Sequence, residues 1–78
     1  MRTKEINLHG FTVEQAREEL VGFLDELEED VAEVNVVHGY KGGTALRDMI
    51  RREFNHPRVQ RKLLSMNPGV TIFLVKRG

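Results

Sequence analysis

The feature that most narrows the folds open to this chain is a repeated handover from an apolar strand to a helix. Leu8-His9-Gly10 leads to Thr12 and a helical stripe, and Val37-His38-Gly39 leads to Thr44 and a second stripe. In each case a short run with strand character gives way at a His-Gly pair to apolar residues spaced three and four apart. Two such units in succession call for strands that share a sheet and helices that cover it.

The individual elements follow from periodicity. Lys4 to Leu8 reads as a strand, with Ile6 and Leu8 on one face and Asn7 and His9 on the other. Thr12 is placed to cap a helix, and Gln15, three residues on, completes a capping box. Val13, Ala16, Leu20, Leu24 and Leu27 make the buried stripe of that helix, expected over Val13 to Glu28. Ala32 to Val37 is valine-rich and reads as a second strand.

Thr44 or Gly43 is placed to cap a second helix with the stripe Leu46, Met49, Ile50 and Phe54, and with Arg47, Arg51 and Arg52 facing outward. Asn55-His56-Pro57 ends it, since proline disfavours helical geometry in the residue before it. Val59 to Leu64 is a strand in which Val59, Arg61 and Leu63 alternate with Gln60, Lys62 and Leu64. Asn67-Pro68-Gly69 is a turn, and Val70 to Val75, the most apolar run, is expected to be a central strand. The expected fold is an α+β two-layer sandwich of order β-α-β-α-β-β. It is a four-stranded mixed sheet with two helices on one face.

At 78 residues the chain has room for one domain, spanning residues 1–78, and one small core. It contains no cysteine, which removes disulfides and thiolate metal sites. His9, His38 and His56 lack the spacing of a zinc site, so neither a metal nor another cofactor is expected. No apolar run approaches the roughly 20 residues of a membrane span, and the charged Met1 to Glu5 segment does not resemble a signal peptide. A cytoplasmic location without membrane partners is the expectation.

A formal net charge of zero conceals a division. Residues 1–39 carry three Lys/Arg against ten Asp/Glu, whereas residues 40–78 carry nine against two. A basic half of this kind offers a surface for phosphates, and the acidic half is equally consistent with a solvated helix face.

Chemistry in such a sheet gathers beyond the C-terminal ends of parallel strands. His9-Gly10 and His38-Gly39 fall there if the first two strands run parallel. Gly39, Gly42 and Gly43 let a loop bring backbone N–H groups close to a phosphate, Lys41 adds charge within it, and Arg47 follows one turn into the helix. The loop lacks the spacing of a P-loop, and taken by itself it reads first as a tight connection and second as a phosphate site. Tyr40 is placed either to stack on a base or to cover an apolar edge.

These motifs resemble a known family. Asn7-Leu8-His9-Gly10 followed by Thr12-Val13-Glu14-Gln15-Ala16 is similar to the opening of the small MutS-related (Smr) domain, Leu-Asp-Leu-His-Gly before a Thr-capped helix. His38-Gly39-Tyr40-Lys41-Gly42-Gly43-Thr44-Ala45-Leu46-Arg47 resembles that family's His-Gly-x-Gly-x-Gly segment and the Ala-Leu-Arg after it. His56-Pro57-Arg58-Val59 and Pro68-Gly69-Val70-Thr71 are similar to its later stretches. The resemblance implies a fold like the C-terminal domain of translation initiation factor three. It also implies nucleic-acid binding, with nicking or cleavage of DNA or RNA in several members.

Two departures accompany it. Asn7 stands where the family usually has Asp, and one extra residue separates His38-Gly39 from Gly42-Gly43. An amide cannot serve as a base or hold a cation as a carboxylate does.

The expected function is therefore backbone-directed, largely sequence-independent binding of DNA or RNA. The residues expected to carry it are Gly39, Tyr40, Lys41, Gly42, Gly43, Arg47, Arg51, Arg58, Arg61 and Lys62. The implied setting is DNA repair or recombination, or ribosome-associated RNA quality control, with the ribosome, a MutS-like protein or another protein as partner. The alternative is a weak endonuclease in which His9 or His38 acts as general acid or base. A second alternative is a protein-interaction module that presents its acidic first helix to a basic partner.

Overall fold

The computed structural model describes residues 2–40 and 44–77. Strand β1 (Arg2–Asn7) is followed by α1 (Val13–Asp25), β2 (Val31–Val37), α2 (Ala45–Asp48) with a π-helical continuation (Met49–Glu53), β3 (Val59–Leu64) and β4 (Val70–Val75). The sheet order is β1-β2-β4-β3. β1 and β2 are parallel, while β4 runs antiparallel to both β2 and β3. The expected order and the mixed sheet are thus present, with β4 as a central strand.

One core holds the layers together. Val34 and Val36 of β2 and Phe73 and Val75 of β4 are buried with Ala16, Leu20 and Leu24 of α1 and with Met49, Ile50 and Phe54 of the second helical segment. Both helices therefore cover the same sheet face, and the alternate residues Asn35, Val37, Ile72 and Leu74 lie on the other face, only partly buried.

Helix α1 opens as its sequence dictates: the Thr12 hydroxyl accepts from Gln15 N–H, and the Gln15 amide oxygen accepts from Thr12 N–H, both at 3.1 Å. Its other end is earlier than expected, at Asp25. Leu27 turns into the core, and the Arg58 guanidinium donates to the carbonyls of Leu27 and Glu28, giving an alternative to another helical turn.

The second helix departs further from expectation. Thr44 sits at its N-cap position, but no side-chain capping bond forms. After a single α turn the backbone widens, with Phe54 N–H donating to the Met49 carbonyl at 2.7 Å. Met49, Ile50 and Phe54 are all buried by this turn. Strand β3 also breaks strict alternation. An extra residue, Gln60, lies between the pairs Val59–Val75 and Arg61–Leu74. This bulge puts Lys62 opposite Phe73, on the core side, and separates it from Gln60, with which strict alternation groups it.

Candidate functional site

Parallel pairing of adjacent β1 and β2 brings the two His-Gly pairs to one end of the sheet. β1 ends with Leu8 N–H donating to the Val37 carbonyl at 2.8 Å, so the chain leaves both strands at the same level. His9 N–H then donates to Asn7 Oδ1 at 2.9 Å, and Phe11 N–H to the Leu8 carbonyl at 3.1 Å. Gly10, at φ +88°, completes the reversal into the Thr12 cap. Asn7 thereby supplies the oxygen that holds the turn without supplying a negative charge.

His9 is exposed, and its ring rests on Gly39. A Cβ added to Gly39 would lie 2.5 Å from His9 Cδ2, and Gly39 already has φ +80°. Glycine is required there twice over, by backbone conformation and by contact. The β3–β4 turn seals the other side: Gly69 O accepts from the N–H groups of His38 and Gly39 at 2.9 and 3.0 Å. Gly69 lacks a positive φ, and its role is proximity, since a Cβ would meet Gly39 Cα at 3.2 Å and Tyr40 Cδ1 at 3.4 Å.

His38 is buried, at 4% exposure, and both ring nitrogens are occupied. Nδ1 lies 2.8 Å from the Gly39 carbonyl, which only accepts, so Nδ1 carries the proton. Nε2 is then an acceptor for the Thr71 hydroxyl at 2.9 Å, and Thr71 Oγ1 in turn accepts from Arg51 Nε at 2.8 Å. The chain of donors runs from Arg51 through Thr71 and His38 to the Gly39 carbonyl. Burial pushes the His38 imidazole below its ordinary pKa, with the nearby charges of Arg51 and Arg47 adding to that effect and the Gly39 carbonyl opposing it. His38 is therefore a neutral imidazole of fixed tautomer.

Arg51 consequently does not face outward as its position beside the apolar stripe implied. The wide π turn directs it toward the sheet end, where Nε is spent on Thr71. Arg47 is half-exposed, with Asp48 Oδ1 3.5 Å from its Nε. Tyr40 is exposed at this end of the molecule, while Lys41, Gly42 and Gly43 lie outside the described residues.

The remaining basic candidates are elsewhere. Arg58 is at the opposite end of the sheet, where it donates to the carbonyls of Lys76, Leu27 and Glu28. Lys62 donates to the Arg51 and Phe54 carbonyls, closing the end of the second helix, with its ammonium 5.6 Å from the centre of the Phe73 ring. Burial lowers its pKa. Arg61 is exposed opposite Leu74, on the face that carries no helix. Sequence reasoning did not include Thr71 in the site. The available signal was a hydroxyl within the otherwise apolar Val70–Val75 run.

The fold and these strand ends define a two-layer α/β domain whose paired His-Gly turns meet at one end of the sheet. Residues 6–70 match the profile of the Smr domain, and the chain belongs to that family. It is similar to the crystal structure of the Smr domain of Thermus thermophilus MutS2, with 31% sequence identity and a TM-score of 0.78. That alignment covers 94% of this chain and 98% of the other. No curated protein matches the chain at a comparable level of significance.

Proposed function

We propose that the chain binds nucleic acid through its phosphate backbone, at the sheet end that carries both His-Gly pairs. The observation that carries this reading is that exposed His9 and buried His38 border one hollow at this sheet end, with Arg51 linked to His38 through the Thr71 hydroxyl. Lys41 and the glycines Gly39, Gly42 and Gly43 complete the phosphate-binding loop in this proposal, and Tyr40 flanks it. Arg61, opposite Leu74 and toward the far end of the sheet, reaches only a strand that continues beyond this site, whereas Arg58 and Lys62 serve it indirectly because their donors are committed to backbone carbonyls. The footprint is then three or four phosphates, giving affinity that falls with salt at a log–log slope of about −3 on duplex DNA.

A second reading, weak endonuclease activity, is favoured by the same exposed histidine. His9 is accessible for proton transfer, while both nitrogens of His38 are occupied, so His9 takes the acid–base role and His38 positions the turn. With Asn7 in place of a carboxylate, attack by a ribose 2′-hydroxyl is the simpler chemistry. DNA repair or ribosome-associated RNA quality control in the cytoplasm is the setting we propose. The partner there is the ribosome or a MutS-like protein. Among the described residues no helix is long and apolar enough to cross a membrane.

The test is binding of end-labelled single-stranded RNA and duplex DNA at two salt concentrations, with product analysis beside a His9→Ala variant. Salt-sensitive binding without cleavage supports the binding module. Cleavage lost in His9→Ala with binding retained supports the nuclease. Absence of binding on every substrate overturns both and leaves the acidic α1 face, and a basic protein partner, as the working alternative.

A further inference from the structure

The molecule contains five aromatic side chains, and their placement is uneven. Phe54 and Phe73 are buried in the core, and Phe23 packs against it. The other two, Phe11 at 38% and Tyr40 at 55% exposure, both flank His9. Leaving large aromatic rings in water beside an exposed histidine forgoes burial that a small domain needs.

Each ring borders its own hollow, and His9 forms the ridge between the two. On the helix side, a hollow of about 370 Å³ is bounded by Phe11, Val13, His38 and Leu46. On the side without helices, a second hollow of about 370 Å³ is bounded by Asn7, Val37, Tyr40, Asn67 and Gly69. The Tyr40 ring is supported by Gly69 and open to solvent. Both hollows lack carboxylates, although the chain has twelve. Asn7 and Asn67 each spend their amide oxygen on a main-chain N–H, of His9 and Gly69 respectively. Among the described residues their Nδ2 groups have no acceptor, so this hollow presents donors beside an aromatic face.

We propose that the nucleic acid taken at this site is an unpaired strand, with two successive nucleotides straddling His9. One base lies against Phe11, the next stacks on Tyr40 with its acceptor edge toward the asparagine amides, and the linking phosphate crosses the His9 imidazole. This rests on the nucleic-acid reading above and adds the substrate class. Separating neighbouring bases into two hollows breaks pairing and stacking in a duplex, whereas a flexible single strand makes the same separation at little cost. The hollows lie at the small end of ligand-site volumes, with space for single bases rather than stacked pairs.

The test measures the affinity of the protein for labelled ten-nucleotide strands of RNA and of DNA, for the corresponding duplexes, and for a strand of equal charge made of abasic units. The expected result is tighter binding to either single strand than to its duplex, with about a 100-fold loss on the abasic strand, which forgoes both base contacts. Phe11→Ala and Tyr40→Ala should each cost about 10-fold on the single strand and little on the abasic one, with Tyr40→Phe near the parent. A preference between RNA and DNA single strands identifies the natural source without altering the proposal. Equal binding of single, duplex and abasic strands by the parent protein overturns the base hollows while backbone binding stands, and this comparison requires no variant to fold. Binding to none of them overturns both.

Discussion

The His9 ring sits on Gly39 so closely that a methyl group at Gly39 would approach His9 Cδ2 to 2.5 Å. The contact joins the two halves of the His-Gly echo and sets where the exposed imidazole rests. Gly39→Ala should cost more than the roughly 1–2 kcal/mol of left-handed backbone strain alone. Gly10→Ala is the control, since Gly10 has φ +88° but, among the described residues, no neighbour within 4 Å of an added Cβ. In urea unfolding, Gly39→Ala should be the more destabilised of the two. Combining it with His9→Ala should recover the difference, a non-additivity that identifies the clash as its source. Equal losses in the two glycine variants would show that His9 moves away freely.

Thr71 is 1% exposed, and its hydroxyl couples Arg51 to His38. Thr71→Val keeps the shape of the side chain and removes both bonds, leaving the His38 Nε2 lone pair buried without a donor. The expected cost is about 1–3 kcal/mol, or several degrees in Tm for a domain of this size. Nitrogen NMR of the imidazole gives a sharper readout: the parent should show one tautomer protonated at Nδ1, and the variant a mixture.

How far the sequence could be read depended on what each residue answers to. Thr12 and Gln15 interact three positions apart, so their capping box was legible as a local pattern. Val70 to Val75 announced a central strand because apolar content reports burial directly. The bulge at Gln60 and the π turn after Asp48 were not legible, because both are backbone adjustments that let particular side chains meet a core assembled from distant segments. Arg51, Arg58 and Lys62 show the same limit at the site. Composition made them a basic surface, but their acceptors lie between eight and thirty-one residues away in the chain, beyond any local pattern. His9 and His38 were placed at equivalent strand ends, yet periodicity did not reveal that one ring would be exposed and the other enclosed.

Two groups should give the pH dependence of stability two separate windows. The folded His38 resists protonation more than the unfolded residue, whose ordinary value is 6.5, so the unfolded chain takes up the proton first as pH falls. Its contribution is complete above that value and declines below it until the folded imidazole also protonates. Glu28 is held down to about 2 from 4.5 by its backbone hydrogen bond, then by Lys4 and Arg2, so its contribution is present above 4.5 and lost toward about pH 2. Urea midpoints between pH 7.5 and 5 should fall in the parent and flatten in His38→Gln. The steeper decline below pH 4.5 should remain in that variant and weaken in Glu28→Gln. An unchanged upper limb in His38→Gln would assign that proton uptake to another group.

The basic residues should divide between stability and binding. Arg58 holds three carbonyls from the ends of other elements, at the far end of the sheet from His9. Arg58→Met retains much of the stem and removes those bonds, and should cost about 2 kcal/mol in urea unfolding. In the well-folded population, its nucleic-acid affinity and salt slope should match the parent. Arg47 is half-exposed beside His38, and among the described residues its guanidinium has only the 3.5 Å contact with Asp48. Arg47→Ala should therefore leave stability within about 0.5 kcal/mol and reduce the magnitude of the salt slope by about one. The opposite pattern, with Arg58→Met weakening binding at every salt concentration and Arg47→Ala leaving it unchanged, would shift the interface to the far end of the sheet. The phosphate would then meet the end of α1 and the start of β2, where Glu28 and Asp30 already hold Arg2 and Lys4 in ion pairs. An anion there has to compete with those carboxylates for its cations, which is the reason for proposing the His9 end instead.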